Sequence, residues 1–131
     1  MASACLVDTT RIYGTKKMSE YFPEDWVVIK YEYEGKTEYK VLGGWRGGYL
    51  NGDSWRLNSG VTKVEDYDNH FHFYGYSSSV YHCRKNRYGI TGMHNNGVLQ
   101  QILEGGKSVN AELLSKDTDF TTLIVDSVQE Q

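Results

Sequence analysis

From Trp26 to Tyr33 side chains alternate between two faces, with Val27, Ile29, Tyr31 and Tyr33 on one and Trp26, Val28, Lys30 and Glu32 on the other. That period of two predicts a strand over 26–33. Glu34-Gly35 then signals a turn into a second strand over 36–43. Charge selects a register. With Tyr33-Glu34-Gly35 as the loop, Glu32 lies opposite Lys36 and Lys30 opposite Glu38, while Val27 meets Val41 and Ile29 meets Tyr39. A slip of two would set Glu32 against Glu38 and Lys30 against Lys40. Cross-strand pairs are worth roughly 0.2–1 kcal/mol each, so the first register is preferred.

The same alternation predicts a hairpin of 61–65 with 70–76 around Asp66-Tyr67-Asp68-Asn69, placing Val64 opposite Phe71 and Thr62 opposite Phe73. Ser77-Ser78-Ser79 turns the chain into 80–84, so that Phe73 faces Cys83 and His72, Tyr74, His82 and Arg84 share the opposite face. Short strands are also expected over 4–8 and 54–58. A short helix is expected over 15–22, where Met18, Tyr21 and Phe22 fall three and four apart before Pro23. Beyond Gly89 the period lengthens. Val98, Leu99, Ile102 and Leu103 form a helical stripe ended by Gly105-Gly106, with a start capped in the run His94-Asn95-Asn96-Gly97. A second helix over 108–116 and a final strand over 120–125 complete the pattern. The expected architecture is α+β: an antiparallel β-meander of about six strands, one face buried and one wet, with two short C-terminal helices packed on one face. One domain spans 1–126, and 127–131 form a frayed tail.

Composition sharpens this in one place. Residues 43–60 hold two of the three tryptophans, two arginines and six of the fourteen glycines. Trp45, Arg46, Tyr49, Trp55 and Arg56 combine flat rings with planar cations, and the glycines let backbone N–H groups approach a ligand. The bland alternative has the tryptophans in the core and the arginines lying over them. The second candidate is the face of His72, Tyr74, His82 and Arg84, extended by Lys85 and Arg87. Two histidines across a hairpin can contact phosphate, act as acid and base, or ligate a metal. A metal requires a third ligand, and no acidic or cysteine partner on that face supplies one, so no metal and no cofactor is expected. Equally, this face can be an ordinary solvated sheet surface.

A net charge of −3 argues against generic nucleic-acid binding. Cys5 and Cys83 match no zinc spacing and point to a reducing, cytoplasmic setting. No stretch has signal or membrane-span character. Catalytic signatures are lacking, and His70-Phe71-His72 has no hydroxyl at the spacing that a paired phosphoesterase motif needs. The Tyr-rich sheet, with its open edge, suits a homo-oligomer.

Ser54-Trp55-Arg56-Leu57-Asn58-Ser59-Gly60 and Phe73-Tyr74-Gly75-Tyr76-Ser77-Ser78-Ser79-Val80-Tyr81 resemble small accessory proteins encoded by large tailed phages. The resemblance covers about the central third and implies a compact protein that neutralises a nucleotide signal or a host protein in an infected cell. The sequence therefore predicts a non-enzymatic binding protein that captures a small anionic, nucleotide-like ligand through its Gly/Trp/Arg loop. The alternative is a protein–protein inhibitor or adaptor using the same loop, and a His-based hydrolase has least support.

Overall fold

The computed structural model describes residues 18–47, 53–106 and 110–123. Among them, strands β1 (Ser19–Tyr21), β2 (Asp25–Tyr33), β3 (Lys36–Trp45), β4 (Ser54–Leu57), β5 (Val61–Asp66), β6 (His70–Gly75), β7 (Ser79–Arg84) and β8 (Glu112–Leu113) accompany the helix α1 (Met93–Gly105) and shorter helical turns. They form two four-stranded sheets, ordered β1-β7-β6-β5 and β4-β3-β2-β8. The chain is α+β and mostly sheet, but the expected single meander is split in two. Each sheet holds a three-strand meander plus one added strand, β1 being parallel to β7 and β8 antiparallel to β2.

The reason for the split lies in β2. Trp26, Val27, Val28 and Ile29 are all 1% exposed or less, so both faces of this strand need cover. Trp26 and Val28, with Tyr39 and Val41 of β3, pack against Val61, Val64, Phe73, Tyr81 and Cys83 of the other sheet. On the reverse, Val27, Ile29 and Leu42 pack against Ile90, Leu99, Ile102 and Leu103. The layers run sheet, sheet, helix. The expected wet face therefore belongs to the β1-β7-β6-β5 sheet alone.

Registers differ from expectation by small slips. In the first hairpin Glu34 (φ 51°) and Gly35 (φ 78°) form a two-residue left-handed turn, and Val28 pairs with Val41 and Tyr33 with Lys36. Such a turn matches strand twist, which outweighs charge pairs of a few tenths of a kcal/mol. Lys30 instead meets Glu32 along its own strand at 3.2 Å. The second and third hairpins each slip by two, which keeps side chains on their expected faces, except at a bulge between Val61 and Lys63 that puts Val61 rather than Thr62 in the core with Val64. Val64 pairs with Phe73, and Phe73 with Tyr81 rather than Cys83. Tyr67 N–H donating to His70 O (2.9 Å) tightens the second turn, and Ser78 (φ 61°) closes the third.

The ends of the chain depart further. Residues 18–22 of the expected first helix include β1, held extended by β7 some sixty residues away. The expected second C-terminal helix is replaced, over its described part, by β8, and Leu114 N–H continues that pairing onto Val28 O (3.0 Å). Residues 120–123 form a helical turn rather than a strand, burying Phe120 against Trp26. Helix α1 carries the expected stripe, but it begins after Gly92 with no side-chain cap. Asn95 is buried and donates to Ser54 O (2.8 Å), tying the helix to β4. The strand expected at 4–8, Cys5, Tyr49 and the tail 127–131 lie outside the described residues. No helix among those described is long and apolar enough to cross a membrane.

Candidate functional site

Because Phe71, Phe73, Tyr81 and Cys83 point into the core, alternation sends their strand neighbours to the outer face of the β1-β7-β6-β5 sheet. A polar row crosses all four strands there: Glu20 of β1, His82 of β7, His72 of β6 and Glu65 of β5, in that order. His82 Nε2 lies 2.9 Å from Glu20 Oε1, His82 Nδ1 lies 2.9 Å from His72 Nε2, and His72 Nδ1 lies 3.6 Å from Glu65 Oε1. His70, two positions before His72 on the same face, adds its Nε2 at 3.0 Å from His72 Nε2. Its other nitrogen, Nδ1, lies 2.8 Å from Asn69 Oδ1. One ring nitrogen from each histidine falls within 4.8 Å of the other two.

The surrounding oxygens set the tautomers. Asn69 Oδ1 and the Glu20 carboxylate only accept, so His70 donates from Nδ1 and His82 from Nε2. In the neutral rings the remaining nitrogens, His70 Nε2 and His82 Nδ1, present lone pairs toward His72. Burial pushes the pKa of His72 down, the neighbouring His82 and His70 push the same way, and Glu65 opposes them. The neutral imidazole is thus favoured at the centre of the cluster.

Glu65 is the anchor at the far end. Hydrogen bonds from Tyr67 and Tyr74, both 2.8 Å to Oε1, hold its pKa at about 2, down from an ordinary 4.5. The partners respond: the same bond raises Tyr67, and burial followed by this bond raises Tyr74. A carboxylate depressed on folding contributes stability that is complete above its unfolded pKa and lost as pH falls through its folded one. Glu65 should therefore stabilise fully above about pH 4.5 and lose its contribution between 4.5 and about 2. Comparing acid unfolding of the wild type with Glu65→Ala checks this, because the variant should lack that part of the pH dependence.

The residues singled out from sequence separate into two regions. His72, Tyr74 and His82 meet as expected, and Arg84 pairs in register with His70. Arg87 is exposed on the one-turn helix Lys85–Arg87. Trp45 is half-buried, its indole N–H donating to Phe22 O (3.1 Å). Arg46 bonds the Thr91 hydroxyl, and Arg56 lies 4.6 Å over the Tyr21 ring. Trp55 is 44% exposed on β4. Among the described residues no contact joins Arg46 or Arg56 to the histidines. Tyr49 is outside the described residues.

Four participants escaped the sequence reading, among them Glu65, which with Glu20 overturns the expectation that this face carries no acidic partner. His70 was visible only as half of a His-x-His pair, and seeing it as a third ligand needs the tight β6–β7 register. Glu20 was assigned to a helix. Phe22, 62% exposed, stacks on His82 with centroids 4.2 Å apart and planes at 9°. With Pro23, His70, His82 and Arg84 it lines an open groove of about 370 Å³. Cys83, buried behind this face as expected, has its thiol pKa pushed well up by burial, which disfavours the thiolate. Comparison with known proteins returned no match: no protein-family model, no curated protein and no solved structure is similar to this chain.

Proposed function

We propose that this chain is a non-enzymatic binding protein that captures a small anionic, nucleotide-like ligand in the groove beside Phe22, His70, His82 and Arg84. The observation that carries this is Arg84. It is exposed at the groove, and among the described residues no carboxylate pairs with it. A guanidinium pairs readily with phosphate or carboxylate, and the stacked Phe22–His82 pair offers a flat wall for a ring. A volume of about 370 Å³ falls in the lower range of small-molecule sites, roughly 300–1,000 Å³. The proposed site lies on the histidine face, and Trp45 and Arg46 of the Gly/Trp/Arg segment already have protein partners, Trp45 bonding the backbone of Phe22 at the groove's edge. The resemblance to phage accessory proteins fits a nucleotide signal as the captured species.

Thermal shift and calorimetry with a panel of linear and cyclic nucleotides test this. One or more should bind, and Arg84→Ala should weaken binding by about ten- to a hundred-fold, the loss of one charge-assisted contact of about 1.5–3 kcal/mol. Arg46→Ala should leave binding unchanged. Arg84 serves the fold through its backbone carbonyl, which accepts the Trp26 indole N–H, so the substitution spares that contact. No binding across the panel, or equal binding by Arg84→Ala, contradicts the proposal.

A second reading rests on Trp55, exposed beside Arg56 on edge strand β4. Tryptophan and arginine are the residues that most often dominate protein interfaces, which supports an inhibitor or adaptor function. Loss of a co-purifying protein on Trp55→Ala, with the fold intact, is its required outcome.

A further inference from the structure

We propose that His70, His72 and His82 bind a divalent transition-metal cation, zinc foremost, through His70 Nε2, His72 Nε2 and His82 Nδ1. This goes beyond the anion-binding proposal and does not rest on it. The three atoms are the inner nitrogens of the cluster, with His72 Nε2 3.0 Å from His70 Nε2 and 2.9 Å from His82 Nδ1. An imidazole nitrogen has one in-plane direction for a proton or a lone pair. His72 Nε2 therefore cannot satisfy both neighbours: a proton there answers one contact and leaves the other unmet. Without that proton, three lone pairs converge. A cation placed among them satisfies all three at once.

Ligation needs adjustment of all three separations, the His70–His82 pair, within 4.8 Å, closing while the two short contacts open. A tetrahedral zinc with Zn–N bonds of about 2.05 Å sets its ligand nitrogens about 3.3 Å apart. The two short contacts need to open by only a few tenths of an ångström. The outer nitrogens already have the partners that such a site uses. His82 Nε2 donates to Glu20, His70 Nδ1 to Asn69, and His72 Nδ1 faces Glu65. These bonds orient the rings, and the two carboxylates offset the charge of a dication. An all-imidazole set selects zinc, copper, nickel or cobalt over magnesium and calcium, which take oxygen ligands. Three protein ligands leave a fourth position. His70 and His82 both line the groove with Phe22, Pro23 and Arg84, so water or an anion reaches that position from there.

Zinc titration by calorimetry of the chelator-stripped chain, with cobalt(II) absorption as a report on geometry, tests the site. We expect one zinc per chain, a raised melting temperature, and cobalt bands of tetrahedral intensity. His72→Ala and His70→Ala should each weaken binding at least a hundred-fold. Glu20→Gln, a positioning change, should weaken it about ten- to a hundred-fold. His94→Ala, on the exposed start of α1, should change nothing. Circular dichroism identifies any variant that fails to fold, and His72→Gln replaces His72→Ala in that case. No saturable zinc binding below millimolar concentration by the folded wild type overturns the proposal, as does unchanged affinity in a folded His72 variant. Zinc binding with no nucleotide binding supports this site while contradicting the anion reading, and the converse separates them equally.

Discussion

Replacing Trp26 with alanine should cost about 3–5 kcal/mol, the range for losing a large buried aromatic. Against a typical total stability of about 5–15 kcal/mol, that brings the chain close to unfolding. Trp26 is 1% exposed and stands at the centre of the core between the two sheets. Its ring lies 5.4 Å from Phe73 of the opposite sheet, 4.7 Å from Tyr88 and 5.8 Å from Phe120. Its indole N–H donates to Arg84 O (2.6 Å), fastening β2 to the last residue of the strand that carries His82. Urea unfolding measures the loss, and Trp26→Phe separates its parts. That variant keeps a ring but leaves the Arg84 carbonyl without its donor, so it should cost about 1–3 kcal/mol. A loss below about 1 kcal/mol for Trp26→Ala contradicts the packing described here.

Tyr88→Phe should cost about 2–4 kcal/mol although it removes a single oxygen. The Tyr88 hydroxyl accepts from Val28 N–H (3.1 Å) and donates to Leu114 O (2.6 Å), bridging β2 to the segment that follows β8. Phenylalanine keeps the ring but leaves two part-buried backbone groups unpaired, each worth about 1–3 kcal/mol. Burial pushes the phenol pKa up, with the hydrogen bond from Val28 N–H opposing it. Urea unfolding gives the magnitude, and amide hydrogen exchange gives the location. The Val28 amide should exchange faster in the variant while amides of β6 and β7 keep their relative protection. Uniform loss across the chain, or none at Val28, runs against this bridge.

What could be read from the sequence was local. The alternation in β2, the Glu34-Gly35 turn and the Val98–Leu99–Ile102–Leu103 stripe of α1 each depend on residues close in sequence, and each is found. Trp26, however, shares a face with Lys30 and Glu32, and alternation alone cannot show that a strand is covered on both sides. β1 and β8 were read as helix because their own spacing suits one. Their extended form comes from pairing with β7 and β2, which is invisible locally. The candidate site followed the same rule. His72, Tyr74, His82 and Arg84 were placed on one face correctly, since slips of two preserve faces. The convergence of His70 with them depends on where the Tyr76-Ser77-Ser78 turn closes, and that of Glu20 depends on a strand that local spacing hid.

That convergence is the centre of the functional account, and the four histidines of this chain allow one direct measurement of it. Long-range proton–nitrogen NMR spectra report the tautomer and ligation of each imidazole. Before zinc, His70 should be protonated at Nδ1 and His82 at Nε2. With one equivalent of zinc, His70 and His72 should shift as Nε2 ligands and His82 as an Nδ1 ligand, while His94 stays as it was. Shifts at His94 alone, at none of the four, or of equal small size at all four would contradict the site.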